Sequence, residues 1–397
     1  MDWLSFAAKG LTGSPFWTVV VYFALVTQLT IFSVTLYLHR SQSHRGVDFH
    51  PLIAHMFRFW AWLTTAMVTK EWVAIHRKHH AKCETEEDPH SPQTHGIGKV
   101  LFHGVVLYQQ ACKDRALIEQ YGTGTPNDWI ERNVYAPLPA LGPTLMALIN
   151  IALFGAIGLA IWAVQMLWIP VLAAGVVNGL GHWWGYRNFE TSDTSTNLTP
   201  WAFFIGGEEL HNNHHAYPSS SKFALRRYEF DIGWVAIRVL SFFKLATVLR
   251  VAPALSERPN VSIPDMDTVR ALLTHRFKVM GDYFHGVIMP TLKAEAERAE
   301  GQMERMRGKF RRALANDGRW LDEASRERMR TWVRERPALA RVMEYRRSLA
   351  ATLERSGRNG EALAESLRAW CDEAEKSGIA ALEAFSRRIR GYQLVGA

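Results

Sequence analysis

The stretch "HRKHH" at residues 76–80 decides the reading of this chain, because "HNNHH" at 211–215 repeats its pattern of histidines. On an α-helix, positions i, i+3 and i+4 lie on one face, so each H-x-x-H-H points three imidazoles the same way. That is a metal-ligand arrangement. Working outward, "LHRSQSHRG" adds His39 and His44, and "NGLGHWWG" adds His182. His39 and His44 are five apart, about 140° round a regular helix, so both face one centre only if the helix unwinds between them, and Gly46 is the expected place for the break. Nine imidazoles, His39, His44, His76, His79, His80, His182, His211, His214 and His215, exceed what one ion takes. Imidazole suits Fe, Zn, Cu and Ni alike. So many ligands, with positions left open for oxygen, favour a redox-active pair of ions over structural zinc.

The apolar segments place these groups. Residues 16–38 are an uncharged run long enough to cross a bilayer, and residues 141–183 contain no Asp, Glu, Lys or Arg, about twice one span. The sequence therefore predicts spans at about 16–38, 143–162 and 165–184, with a hairpin turning near Gln165. Arg132 and Arg187 flank the hairpin and place both its ends in the cytoplasm by the positive-inside rule. Residues 52–69 carry His55 and Arg58 and must start and end on one side if the flanking histidines share a site, so they are read as interfacial. Residues 223–250, aromatic and basic at helical spacing, are expected to form a second interfacial helix. All histidine groups then fall on one membrane face.

The rest is a different kind of chain. Residues 251–397 hold 27 Lys and Arg against 21 Asp and Glu, so six of the eight net positive charges lie there. Acids and bases interleave as on solvated helices, which argues against a nucleic-acid surface. The expected organisation is a membrane domain over 1–250, a Pro-containing linker over 251–264 and a soluble helical region over 265–397, interrupted at 316–318 and 356–360. Three cysteines are too few for a disulfide framework, a zinc ribbon or a thiolate-held iron–sulfur cluster. The fold class is all-α: a membrane-spanning helical bundle with a cytoplasmic histidine-rich cap and a C-terminal soluble helical region. Asn178, four residues before His182, faces the same way and is a candidate to reach a metal. Glu84, Glu86, Glu87, Asp88, Glu208 and Glu209 flank the clusters and are candidates to orient ligand imidazoles. His50, His55, His90, His95, His103, His275 and His285 are read as non-ligands, with His90 the one expected to hydrogen-bond near the site.

On "HRSQSH", "HRKHH" and "HNNHH", in that order, and on "NGLGH" and "GGEELHNNHH", residues 16–250 resemble the membrane fatty acyl desaturases, most closely bacterial Δ9-type enzymes. The resemblance implies that the nine histidines and Asn178 hold a di-iron centre. It further implies activation of O₂, removal of two hydrogens from adjacent methylenes of an acyl chain linked to CoA or phospholipid, and an inner-membrane location. The same boxes serve hydroxylases. Glu209-Leu210 stands where many relatives have glycine, and Ile75 where the animal acyl-CoA enzymes carry Asp, so a lipid-linked acyl chain stands beside acyl-CoA as substrate. No electron-carrier module is visible, and a separate donor of ferredoxin, rubredoxin or cytochrome type with its reductase is expected. The C-terminal stretch "LRAWCDEAEKSGIAALEAFSRRIRGY" resembles the last helices of a transposase family. A membrane metal-binding or transport protein and a membrane-tethered interaction module are the readings from other classes. The first predicts charged residues along a path within the spans, and residues 16–38 and 141–177 have none.

Overall fold

In a computed structural model, residues 3–298, 308–354 and 360–395 are described. The chain forms two compact units: Met1–Arg187 with Asp193–Ala252, and Asn188–Ser192 with Pro253–Ala397. Both are mainly helical, and the strands among the described residues make three two-stranded pairs.

In the first unit one continuous helix runs from Phe16 to Ser43, and a second from Ala156 to Leu180; both are long and apolar enough to cross a membrane. The most apolar window of the second is only 22% buried. Leu159, Val164, Leu167 and Val171 stand exposed along it, as lipid-facing side chains would and soluble core residues would not. The hairpin turns at Gly155, not near Gln165. Gly155 has φ +59° and ψ −137°, a conformation that only a residue without Cβ adopts readily. Gln165, a good helix former, instead sits inside the second arm. The first arm, Leu141–Phe154, has 14 residues and so rises about 21 Å, short of a full hydrocarbon crossing. Its last carbonyls are capped from the N-terminal segment: Leu11 N–H donates to Ala152 O, Thr12 Oγ1 to Leu153 O and Ser14 Oγ to Phe154 O.

The expected interfacial helices are both shorter than their apolar runs. Pro51–Thr65 begins with proline in its first turn and stops at Ala66, which takes the left-handed conformation. The stretch 223–250 is helical only over Ile232–Phe242. Asp231 caps it by accepting from Trp234 N–H, and Glu229 folds the preceding residues into a turn by accepting from Leu225 and Arg226 N–H. Beyond it, Lys244 has φ +59° and Ala246–Val248 pairs antiparallel with Val47–Phe49. This ribbon follows the end of the first long helix and closes the unit near its histidines.

The second unit packs its amphipathic helices round Tyr283, Trp370 and Phe385. The Tyr283 and Phe385 rings meet edge to face at 5.0 Å, and the Tyr283 hydroxyl donates to Val342 O at 2.7 Å. Ala254–Glu257 pairs antiparallel with Tyr392–Val395, joining the start of this unit to its last strand. The break at Asn316–Gly318 is present, Asp317 and Gly318 both having positive φ. The expected break at 356–360 lies almost wholly outside the described residues.

Candidate metal centre

The helix that enters from Phe16 changes its winding at Ser33. Over Ser33–Ser43 it is a π-helix, with i→i+5 hydrogen bonds; His44 N–H donates to His39 O at 3.2 Å. Five residues then make about one turn, so His39 and His44 share a face without any break at Gly46. Pro170–Leu180 is wound the same way and delivers His182 just beyond its end. His76, His79 and His80 come from Thr69–Lys82, and His211, His214 and His215 from the short helix His211–Ala216. That short helix is held by Asn213, which donates to Phe223 O and Glu229 Oε2 and accepts from Asn197.

All nine histidines meet in one place, in two groups. Nitrogens of His39, His44, His76, His80 and His214 lie within 4.8 Å of one another, and so do donor atoms of His79, His182, His215 and Cys83. His211 joins the second group, its Nε2 3.0 Å from that of His182. Each H-x-x-H-H therefore divides. His76 and His80 go to the first group and His79 to the second, while His211 and His215 go to the second and His214 to the first. Positions i and i+4 serve one group and i+3 the other, and the two copies are crossed.

Four carboxylates fix the rings. His39 Nδ1 donates to Glu208 at 2.8 Å, His79 Nδ1 to Asp88 at 3.0 Å, His182 Nδ1 to Glu84 at 3.3 Å and His215 Nδ1 to Asp193 at 2.9 Å. Glu208 is itself braced by Thr35 Oγ1, and Glu84 by Thr194 Oγ1. A proton on Nδ1 leaves the Nε2 lone pair aimed inward. The Nε2 pairs His39–His214, His44–His76 and His80–His214 are only 2.8–3.0 Å apart, and the buried His215 Nε2 has no hydrogen-bond partner among the described residues. Converging lone pairs call for a cation between them. Two imidazole nitrogens about 2.1 Å from one ion at a right angle lie about 3.0 Å apart, so the spacing fits a transition metal. Burial, reinforced by the neighbouring imidazoles, pulls the pKa of His76, His80 and His214 well below the ordinary histidine value, keeping them in the neutral, ligating form.

Of the acids singled out from the sequence, Glu84, Asp88 and Glu208 hold histidines. Glu209 instead accepts from Ile205 and Gly207 N–H, and Glu87 pairs with Lys82 on the surface; Glu86 is exposed. Asp193 was not a sequence candidate, because it flanks neither H-x-x-H-H and only the fold carries it to His215. Cys83 Sγ, 4.0 Å from His79 Nε2, is the other residue that spacing alone did not mark. His90 stacks on His79 with centroids 4.4 Å apart. Asn178 lines the cavity described next, with His211. Asp88→Asn is expected to lower metal affinity about tenfold to a hundredfold, since His79 loses the negative carboxylate that fixes its tautomer and raises its basicity, and an amide NH₂ takes the place of one accepting oxygen. Competition against a graded chelator, with Glu87→Gln as the unchanged control, checks it.

A cavity of about 420 Å³ opens beside the histidines. It reaches from His39, His76 and His211, past Val34, Ile75 and Val177, to Thr64, Gln165 and Met166. The last three residues also line a small recess with Thr30, nine residues before His39 on the same long helix and so about 10–13 Å away along it. They form the end remote from the histidines.

Comparison with known proteins agrees with this arrangement. A fatty acid desaturase family model matches residues 15–238, and a transposase family model matches residues 268–394. The Arabidopsis thaliana protein "Delta-9 acyl-lipid desaturase 2" is 28% identical over 258 residues, 64% of this chain and 80% of its own. The Anemone leveillei protein "Acyl-CoA C20 Delta5-desaturase" is 28% identical over 257 residues, 64% of this chain and 79% of its own. The Limnanthes douglasii protein "Icosanoyl-CoA 5-desaturase" is 31% identical over 227 residues, 56% of this chain and 62% of its own.

Proposed function

Because the chain belongs to the fatty acid desaturase family, we propose that it introduces a cis double bond, at Δ9, into a fatty acyl chain carried by CoA or phospholipid, using two iron ions and O₂. The observation that carries this reading is the pair of histidine groups opening onto a mainly apolar cavity. Iron held by the five histidines of one group and the four of the other would supply, with O₂ and two electrons and two protons from outside, the oxidising power to take one hydrogen from each of two neighbouring methylenes, leaving water as the other product. Methylenes carry no acidic proton or leaving group for a side chain to use, and the protein's part is positional. Val34, Trp72, Ile75 and Val177 line the cavity, where they would exclude water and pack against the acyl chain. Glu84, Asp88, Asp193 and Glu208 keep the imidazoles aimed. Asn178 stands at the cavity wall, in reach of the centre through water.

The two long apolar helices support membrane association. We place the histidine face and the C-terminal unit in the cytoplasm of a bacterial cell, on the strength of Arg132 and Arg187 flanking the apolar hairpin. The electron donor is a separate protein of ferredoxin, rubredoxin or cytochrome type, served by its reductase. The chain is similar both to relatives named for Δ9 and to relatives named for Δ5 desaturation, so the position of attack is attributed to how far the acyl chain enters. Met166→Trp, which fills the remote end, is expected to shift products toward acyl chains about two to four carbons shorter. Expression in a host that lacks a desaturase, followed by gas chromatography of its fatty acids, tests both claims. A host profile identical with and without the iron-loaded protein would end the assignment.

A further inference from the structure

The C-terminal unit contains a second cavity, of about 650 Å³, whose wall is unusually rich in arginine: Arg276, Arg319, Arg326, Arg330, Arg346 and Arg347. Three carboxylates line it with them, Glu190, Asp317 and Glu354. The arginines are not equivalent. Arg326 is committed to the fold, bonding Glu323 at 2.6 Å and the carbonyls of Gly318 and Leu321. Arg319 donates to Ser192 O at 3.1 Å and lies 4.0 Å from Glu354. Arg347 and Arg330 are looser, 3.7 Å from Asp317 and 3.8 Å from Glu327, and both remain substantially exposed.

Arg346 is different. It is 8% exposed, its Nε donates to Ala315 O at 2.7 Å, and no carboxylate among the described residues comes within 4.0 Å of it. Its two terminal nitrogens, four N–H donors, have no described protein acceptor. Burial lowers its pKa, and Asp317 and Glu190 act on it only through space. A buried guanidinium is ordinarily matched by an anion and by acceptors for its N–H groups. Among the described residues that match is missing, and the unsatisfied edge belongs to a cavity lined by six arginines and three carboxylates.

We propose that this cavity binds a small molecule through its phosphate group, with Arg346 at the floor and Arg330 and Arg347 at the rim. A guanidinium fork suits the paired oxygens of a phosphate, and several converging arginines suit a dianion better than a single carboxylate. The volume is that of a small-ligand pocket. The recessed position of Arg346 favours a terminal phosphate or diphosphate that can enter a cavity over the backbone of a nucleic acid, which lies on a surface.

The test uses the full chain in detergent or nanodiscs, freed of phosphate, titrated calorimetrically with inorganic phosphate, pyrophosphate and ADP, and separately with duplex DNA and phosphatidylglycerol vesicles. Saturable binding of at least one of the three small probes at one site per chain is expected. Arg346→Met, which keeps the stem but removes the fork, is expected to weaken it about tenfold to a hundredfold. The rim pair Arg330→Gln/Arg347→Gln tests the site should the buried change disturb folding, and a loss of about tenfold or more is expected of it too. Saturation by pyrophosphate or ADP but not by inorganic phosphate assigns the site to a phosphorylated molecule, and saturation by all three to the phosphate group alone. Failure of every small probe, affinities unchanged in both variants, or binding confined to DNA or vesicles overturns the proposal. None of these outcomes depends on the desaturase reading.

Discussion

Substituting His214 with alanine is expected to leave the protein with about one bound metal ion per chain instead of two, and with no unsaturated product above the background of the host. His214 is the most connected donor of its group. Its Nε2 lies 3.0 Å from that of His39 and 2.9 Å from that of His80, and its ring is fully buried. Alanine removes the nitrogen on which the other two converge and leaves a cavity that nothing nearby can fill. His103→Ala is the matched control: His103 is exposed on Ile97–Ala111 and is expected to change neither metal content nor product. Metal analysis and fatty-acid chromatography on the same preparations separate a lost ion from a lost fold. Two ions retained in His214→Ala would contradict the proposed ligand set.

The second large effect is on stability. Arg40, adjacent to His39, has a side chain with no exposure, and so does Asp231. They form two parallel bonds of 3.0 Å, Arg40 also donates to the carbonyls of Ser221 and Gly206, and its guanidinium lies 3.8 Å from the centre of the Phe223 ring. Asp231 in turn accepts from Phe223 and Trp234 N–H. Gly207, with φ +110°, passes so close that a Cβ there would strike both partners. Asp231→Ala leaves Arg40 buried and unmatched and removes a helix cap, a loss of about 3–5 kcal/mol. Thermal unfolding in detergent is expected to show a midpoint lower by roughly 10 °C. Arg40→Met/Asp231→Leu, which removes both charges, is expected to recover most of that loss. A double variant no more stable than Asp231→Ala would show that the backbone bonds, not the ion pair, carry the effect.

Much of the site is legible in the sequence because histidine is rare in apolar surroundings and because H-x-x-H-H maps directly onto a helical face. The gathering of all nine imidazoles follows from that pattern. What escapes is whatever depends on departures from ideal helices. Equal spacing makes His76, His79 and His80 look like ligands of one centre, yet a half-step of rotation hands His79 to the other group. Asp193 has no local mark at all, since its meeting with His215 is made by the loop that follows His182. In the fold, hydropathy finds the long apolar stretch 141–183 but not its turn, because hydropathy is blind to backbone angle and Gly155 reads as one more small residue. The stretch 223–250 misleads for the reason that aromatic and basic residues alternate in ribbons and turns as readily as on helices. Arg346 is one of many arginines until burial singles it out.

The π-wound segment Ser33–Ser43 has a consequence for the centre. Ordinary winding is the resting preference of any polypeptide helix, and in it His39 and His44 would look in different directions; the wider coil that aligns them has little intrinsic support. The packing around it must supply that support, and Ser33–Ser43 is buried at nearly every position. Any change that let this stretch relax to the tighter coil would swing His44 away and cost its group one of five nitrogens.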